Sequence, residues 1–241
     1  MNLDGARVLV AGATGVLGGA LTAELLGRGA RPVLAGRDPA RLAAAARAHE
    51  DAPNVTFDAY DPASCARAVH DSATALGGLD AVVTAFGTVA FGTVAFGPAA
   101  ETGDEIAEHL AAVNLLAPTA FFRAAFTVLG PGSAVAALTG VVARRPQAGM
   151  ADYSASKAAL SAWLDAARRE VRAGGIRVLE IRPGHLDTGF ADRPVAGTAP
   201  PMPPGGEPRR VVAAVADALE SDAELVLTDQ DGTPVVERRT R

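Results

Sequence analysis

The feature that most constrains this chain is a regular alternation. Short apolar runs rich in Val, Leu and Ala are separated, through most of the sequence, by longer segments with helical periodicity. The runs are Arg7–Ala11, Arg31–Ala35, Val55–Phe57, Ala81–Ala85, Ser133–Leu138, Arg177–Ile181 and Glu224–Leu227. Helical patterns fill Leu17–Gly27, Pro39–Ala48, Pro62–Leu76, a long stretch from about Asp104 to Val128, Asp152–Ala173, and Pro208–Glu220. Strands that are apolar on both faces must be covered on both, and a helix between two such strands makes a parallel crossover. The pattern predicts an α/β fold, a doubly wound parallel sheet of six to seven strands with helices on both faces. With no linker before residue 190, residues 1–241 read as a single domain.

Composition narrows the function classes. A formal net charge of −5 argues against a nucleic-acid surface. The lone cysteine, Cys65, excludes an intrachain disulfide framework, and four scattered histidines give no ligand spacing, so no metal is expected. No secretory signal is visible at the N-terminus, and no uninterrupted apolar run is long enough to cross a bilayer. A soluble cytoplasmic protein without membrane partners is the expectation.

Two segments break the pattern. Ala191 to Pro208 is rich in Pro and Gly and is followed by a further helix and strand, so it reads as a mobile loop over a site. Ala85-Phe86-Gly87-Thr88-Val89 is repeated at Ala90–Val94, and Ala95-Phe96-Gly97 begins a third copy. The repeat follows the fourth strand, on the sheet edge where ligands bind in open α/β folds. It is either a neutral lengthening of a surface loop or three phenylalanines, Phe86, Phe91 and Phe96, lining an apolar pocket.

Two constellations carry chemistry. The first strand runs into Gly12-Ala13-Thr14-Gly15-Val16-Leu17-Gly18, which opens a helix. Free N–H groups and the positive dipole end at a helix start attract phosphate, and glycines allow it to approach. After the second strand comes Gly36-Arg37-Asp38-Pro39-Ala40-Arg41. A carboxylate at this place accepts from a ribose 2′-hydroxyl, whereas an arginine accommodates a 2′-phosphate. Asp38 before Pro39 is most simply a helix cap, so Arg37 points to NADP(H) over NAD(H). The second constellation is Tyr153 and Lys157, four apart on a helix and so on one face, roughly 5–6 Å between Cβ atoms. A phenol has a reference pKa of about 10, and a neighbouring ammonium favours its ionised form, which prepares it for proton transfer to or from a substrate oxygen.

With these segments assembled, the chain resembles the short-chain dehydrogenase/reductase family over almost its whole length. Tyr153-Ser154-Ala155-Ser156-Lys157-Ala158-Ala159-Leu160 is the closest local match. The resemblance implies a Rossmann fold. It also implies that Gly12, Thr14, Gly15, Val16, Leu17 and Gly18 hold the dinucleotide, and that Asp58 and Ala59 approach the adenine. Ala85 and Gly87 stand where the family has Asn-Asn-Ala-Gly. Pro183, Gly184, Leu186 and Thr188 correspond to the segment bordering the nicotinamide. Asn114 matches the family's asparagine, which holds a water connecting the lysine to solvent. Tyr153 and Lys157 would contact both substrate and cofactor.

There are departures. The family places a serine at the end of the fifth strand, usually thirteen residues before the tyrosine, and here that position is Gly140. A shift of one in the following loop would bring Thr139 to the serine's role, although strand alternation would point it to the opposite face. Of the four Asn-Asn-Ala-Gly positions only the glycine survives at Gly87. The implied activity is NADPH-dependent reduction of a carbonyl, or its reverse, with Tyr153 as acid, Lys157 as its electrostatic partner, Thr139 as donor to the carbonyl oxygen and Asn114 in the proton relay. Phe86, Phe91 and Phe190 suggest an apolar small-molecule substrate. His185 is either a substrate contact or an exposed loop residue. Apolar faces carrying Phe121, Phe122 and Phe126 suggest a homodimer or homotetramer. Two other readings remain open: a non-catalytic NADP(H) sensor or scaffold, and a same-fold enzyme whose net chemistry is dehydration, epimerisation or cyclisation.

Overall fold

The computed structural model describes residues 1–92, 103–229 and 232–238. Phe96, with the third copy of the repeat, lies outside them. An eight-stranded sheet runs through the molecule. In chain order the strands are β1 (Arg7–Ala11), β2 (Arg31–Gly36), β3 (Asn54–Thr56), β4 (Ala81–Thr84), β5 (Ala134–Leu138), β6 (Arg177–Arg182), β7 (Leu225–Thr228) and β8 (Pro234–Glu237). The spatial order is β3-β2-β1-β4-β5-β6-β7-β8. All neighbours pair in parallel except β7 and β8, which are antiparallel. The chain therefore reverses its direction of travel across the sheet between β1 and β4, which opens a crevice at their C-terminal ends.

The sheet is covered on both faces. Val8, Val10, Val83, Ala136 and Ile181 face one core, with helices α1 (Val16–Gly27) and α7 (Pro208–Glu220). Their strand neighbours Leu9, Ala11, Val82, Ala137 and Val178 face the other, with α3 (Pro62–Leu76), α5 (Ala117–Val128) and α6 (Ala151–Val171). Successive side chains of a strand point to opposite faces, so a strand buried on both sides must be apolar throughout. Helix α2 (Pro39–Ala48) begins where Asp38 accepts from the N–H groups of Ala40 and Arg41, and Pro39 sits in the first turn. Asp61 and Pro62 start α3 in the same way.

The structure departs from the sequence expectation in three places. Strand β8 was not anticipated; it is short, at the sheet edge, and needs β7 to pair with. The long helix expected from Asp104 to Val128 is interrupted: α4 (Asp104–Ala111) passes through a π-helical turn at Ala112–Leu116 into α5. Pro118 has no N–H to give the carbonyl of Asn114 four residues earlier, so the regular ladder fails there and widens. The whole stretch is long and apolar enough to cross a membrane by length and composition, with half of it buried inside the protein. Third, Phe121 and Phe122 are fully buried and face inward, so they offer no outer apolar face. The outer surface of α5 and α6 instead carries half-buried Phe126 stacked on Trp163, with the Arg123 guanidinium 5.8 Å from the indole centre.

Candidate active site

At the C-terminal end of β1 the glycines pack the backbone tightly. Gly12 has φ of +90°, and a Cβ there would lie 2.8 Å from Phe86 Cβ and 2.9 Å from the Ala85 carbonyl. A Cβ on Gly18 would overlap the Gly12 carbonyl, so α1 lies directly against the turn. Gly15 caps α1 in an extended conformation, with no side chain satisfying the first helical N–H groups. Glycines that bring the backbone close and leave a helix start free make a cradle that fits a pyrophosphate. Thr14 borders Gly36 on the inside, and its carbonyl accepts from Arg41 Nη2 at 3.0 Å. Arg37 is exposed beside this turn. The Asp38 carboxylate is committed to the α2 cap.

Asp58 and Ala59 follow β3. Asp58 is exposed and accepts from the Tyr60 N–H at 2.9 Å. Tyr60 Oη is hydrogen-bonded to His109 Nδ1 of α4. Burial, helped by the positive charge of Arg37, holds the His109 imidazole below its ordinary pKa.

The catalytic candidates meet above β4 and β5. Lys157 is buried, and its Nζ donates to the Leu138 carbonyl at the end of β5, 3.1 Å away. A Cβ built on Gly87 would lie 3.0 Å from Asn114 Oδ1 and 3.1 Å from Lys157 Nζ, so these three residues meet where β4 leads into its loop. Asn114 sits in the π-helical turn and is fully buried. Its amide clamps that loop, accepting from Thr88 N and donating to Thr88 O, both at 2.9 Å. It also donates to Ser156 Oγ at 3.1 Å, and Ser156 Oγ donates to the Tyr153 carbonyl at 2.8 Å. Ser156 therefore ties the asparagine turn to the tyrosine helix. Sequence reasoning missed this link, although Ser156 lies inside the Tyr-Ser-Ala-Ser-Lys run.

Tyr153 lies under an apolar roof. It packs with Val89, Phe91, Leu110, Val142 and Ala191, and its ring is 6.4 Å from that of Phe190. Two backbone bonds pair the repeat with the Pro-rich loop: Val195 N donates to Val89 O at 2.9 Å, and Phe91 N to Ala196 O at 3.0 Å. The far end of the loop is held where Gly206 N donates to His185 O and Asp187 N to Gly206 O. Burial pushes the Tyr153 phenol above its ordinary value and brings Lys157 down to about 8. The expectation that the ammonium lowers the phenol is thus not met in this arrangement. Removal from water disfavours the charged form of both groups.

Seven further candidates, Thr139, Phe86, His185, Pro183, Gly184, Leu186 and Thr188, have the following surroundings. Thr139 is buried, and its hydroxyl is engaged within the sheet. Its Oγ1 donates to Glu180 Oε1 at 2.8 Å and, more weakly, to Ile181 O at 3.2 Å. The hydroxyl is occupied by a buried carboxylate. Glu180 is itself paired with Arg182, 2.6 Å away. Burial opposes its ionisation, but the bonds from Arg182 and Thr139 hold its pKa below the usual range. A glutamate inside the apolar run Val-Leu-Glu-Ile was the signal for this pair. Phe86 is half-buried and packs on Phe57 and Phe121, with ring centres 5.1 and 5.9 Å away, at the margin of the core. His185 is exposed, and Gly206 binds its backbone carbonyl. Gly184 N donates to Thr228 Oγ1 at 2.7 Å, Pro183 and Leu186 are buried, and Thr188 turns back onto Leu186 O.

Residues 6–197 match the sequence profile of the short chain dehydrogenases. The chain belongs to the short-chain dehydrogenase family. It is 25% identical over 238 residues to a 3-oxoacyl-acyl-carrier-protein reductase of Vibrio cholerae, covering 94% of each chain. It is 26% identical over 248 residues to the ketoacyl reductase HetN of a Nostoc species, covering all of this chain and 83% of that one. A short chain dehydrogenase of Burkholderia cenocepacia, solved with NADP, superposes with a TM-score of 0.75 at 29% identity, over 91% of this chain and 92% of that one. As a short-chain dehydrogenase the protein is an oxidoreductase. Its residue at the end of β5, where the family carries serine, is Gly140, with φ of +116° and ψ of 160°.

Proposed function

We propose that the protein is an NADP(H)-dependent reductase of an apolar ketone, with Tyr153 as the proton donor. The observation that carries this reading is the meeting of Lys157, Asn114 and Gly87 where β4 leads into its loop, with Tyr153 on the same helix as Lys157 and packed on Val89 of that loop. The likeness to two enzymes named as ketoacyl reductases supports a ketone as the substrate. Exposed Arg37 at the end of β2, with Arg41 on the Thr14 carbonyl, supports a 2′-phosphate and hence NADPH over NADH. When bound, the nicotinamide supplies the hydride that reduces the carbonyl carbon.

The chain's own residues handle the proton. A buried phenol whose pKa is raised stays protonated at neutral pH and has a proton to give. As it passes from Tyr153 Oη to the carbonyl oxygen, a phenolate is left behind. The Lys157 ammonium, fixed on Leu138 O, stabilises that charge more effectively there than in water, because the site is shielded from solvent. Asn114 and Ser156 hold the two helices in register. The apolar surroundings of Tyr153 exclude water and favour an apolar substrate. Since Phe190 and the paired loop cover the tyrosine, entry of substrate requires the 191–208 loop to lift from the repeat. The half-buried Phe126–Trp163 surface suits a contact between copies of the chain.

The test is NADPH oxidation with acetophenone, ethyl acetoacetate and an acetoacetyl thioester. Turnover is expected with at least one ketone, with higher kcat/KM for NADPH than for NADH. Tyr153→Phe should lose roughly 10²–10⁴ of kcat, the usual worth of proton-transfer catalysis, while keeping its affinity for NADPH. Full activity in that variant overturns the assignment. Saturable NADPH binding without turnover of any ketone would instead favour a cofactor sensor, the reading motivated by the missing serine side chain.

A further inference from the structure

A carbonyl reductase needs a second donor on the substrate oxygen besides its acid, and at the serine position this chain has no side chain. We propose that the backbone N–H of Gly140 is that donor. The inference rests on the ketone-reductase reading above.

Strand alternation sets the direction of this N–H. Along β5 and its extension, the odd-numbered residues donate to β6: Thr139 N to Ile181 O at 2.8 Å and Val141 N to Pro183 O at 2.9 Å. Ala134, an even-numbered residue, donates the other way, to Asp80 O at the start of β4. Gly140 lies between Thr139 and Val141, so its N–H points to the β4 side. A continued ladder would offer it the Phe86 carbonyl. Strand β4 ends at Thr84, however, and no bond forms between Gly140 N and Phe86 O. Gly140 is buried, and no acceptor among the described residues takes its N–H. A buried backbone donor without a partner is rare and costs about 1–3 kcal/mol. The same edge of β5 carries the Leu138 carbonyl that anchors Lys157 Nζ. The unclaimed donor and the lysine therefore look into the same space, between the ends of β4 and β5.

The glycine is required by its backbone and not by a lack of room. A Cβ here would meet only Pro183 O at 3.8 Å and Val142 Cγ2 at 3.9 Å, which are ordinary contacts. Its φ and ψ fall in a region that is essentially glycine-only. Thr139 cannot substitute, because its hydroxyl is held by Glu180. Thr139 and the buried Glu180–Arg182 pair instead fix the end of β5, and so aim the next N–H. A fixed backbone dipole directed at developing oxygen charge is an oxyanion-type contribution.

The experiment removes the N–H while keeping the chain geometry, by replacing the Thr139–Gly140 amide with an ester through translational incorporation of glycolic acid. The ester at Val141, whose N–H is spent on Pro183 O, is the control. With the best ketone of the panel, the Gly140 ester should lose roughly 10²-fold in kcat at unchanged NADPH affinity. The infrared carbonyl stretch of that ketone, carbon-13-labelled and bound to enzyme with NADP+, should lie at lower frequency than in water. The shift should shrink in the Gly140 ester and persist in the Val141 ester. Wild-type kcat and an unchanged stretch in the Gly140 ester overturn the proposal. If the ester does not fold, glycine-labelled wild-type protein decides: the Gly140 amide proton moves downfield when ketone joins the NADP+ complex, and an unmoved signal overturns the proposal. Tyr153→Phe separates the two levels: full turnover in that variant removes the reductase reading, whereas lost turnover beside a silent Gly140 ester removes only this inference.

Discussion

Gly12 follows β1 and Gly140 follows β5, and both have positive φ. They are glycine for different reasons. At Gly12 there is no room: a Cβ would press on the Ala85 backbone and on Phe86. At Gly140 there is room, but the backbone takes a shape that side chains avoid. The first glycine serves close packing around a cradle for a whole ligand group. The second turns the chain at the end of a strand and leaves one N–H without an acceptor. The comparison teaches that a glycine in a site is understood only with its surroundings, since the sequence letter is the same in both.

The comparison can be broken or sharpened by substitution, taken here from the largest expected effect. Gly18→Ala places a methyl against the Gly12 carbonyl and separates α1 from the turn. It should cost at least about 3 kcal/mol of stability and abolish NADPH binding, read by thermal melting and fluorescence titration. An unaltered melt would show that the cradle is not close-packed. Lys157→Met tests the catalytic end from the opposite side, because it removes a buried ammonium. With Lys157 at about 8 in the fold, and near 10.4 unfolded, the unfolded chain holds the extra proton between these values. Wild-type stability should therefore rise from pH 8 to about 10.4, with the burial cost present in full below pH 8. The variant should be more stable than wild type at pH 7, by up to about 3 kcal/mol, and should lose this pH slope. Its turnover should fall with that of Tyr153→Phe.

The next two substitutions are smaller and separate neighbours. Gly140→Ala keeps the N–H and meets no clash, so it should cost only the backbone strain, about 2 kcal/mol in a denaturant melt. A cost as large as that of Gly18→Ala would erase the distinction between the two glycines. Thr139→Val removes one hydrogen bond to a charged group that keeps its Arg182 partner. About 1.5 kcal/mol should be lost, with KM for the ketone unchanged. A large rise in KM would return Thr139 to the site.

Much of this was legible in the sequence, for local reasons. The starts of α2 and α3 follow from a capping aspartate and a proline, and that of α7 from its proline. Tyr153 and Lys157 share a face because helical spacing puts them there. Other residues could not be read locally. Thr139 carries the right chemistry one position too early, and its hydroxyl is held by Glu180, which lies 41 residues further on. Phe86 belongs to a repeat that looks like a pocket, yet it is packed on Phe57 and Phe121. Strand β8 exists only because β7 is there to pair with it.

The sequence by itself determined the layered α/β architecture, the glycine cradle and the tyrosine–lysine pair. These depend on periodicity, on backbone freedom and on residues within one helical turn of each other. Only the tertiary structure decided what engages the Thr139 hydroxyl, which loop roofs Tyr153, and that a backbone N–H at Gly140 is left unclaimed. Those outcomes depend on where neighbouring strands end and on how buried polar groups pair across the sheet. No local pattern encodes such pairings, because their partners are distant in the chain and meet only when the sheet has formed.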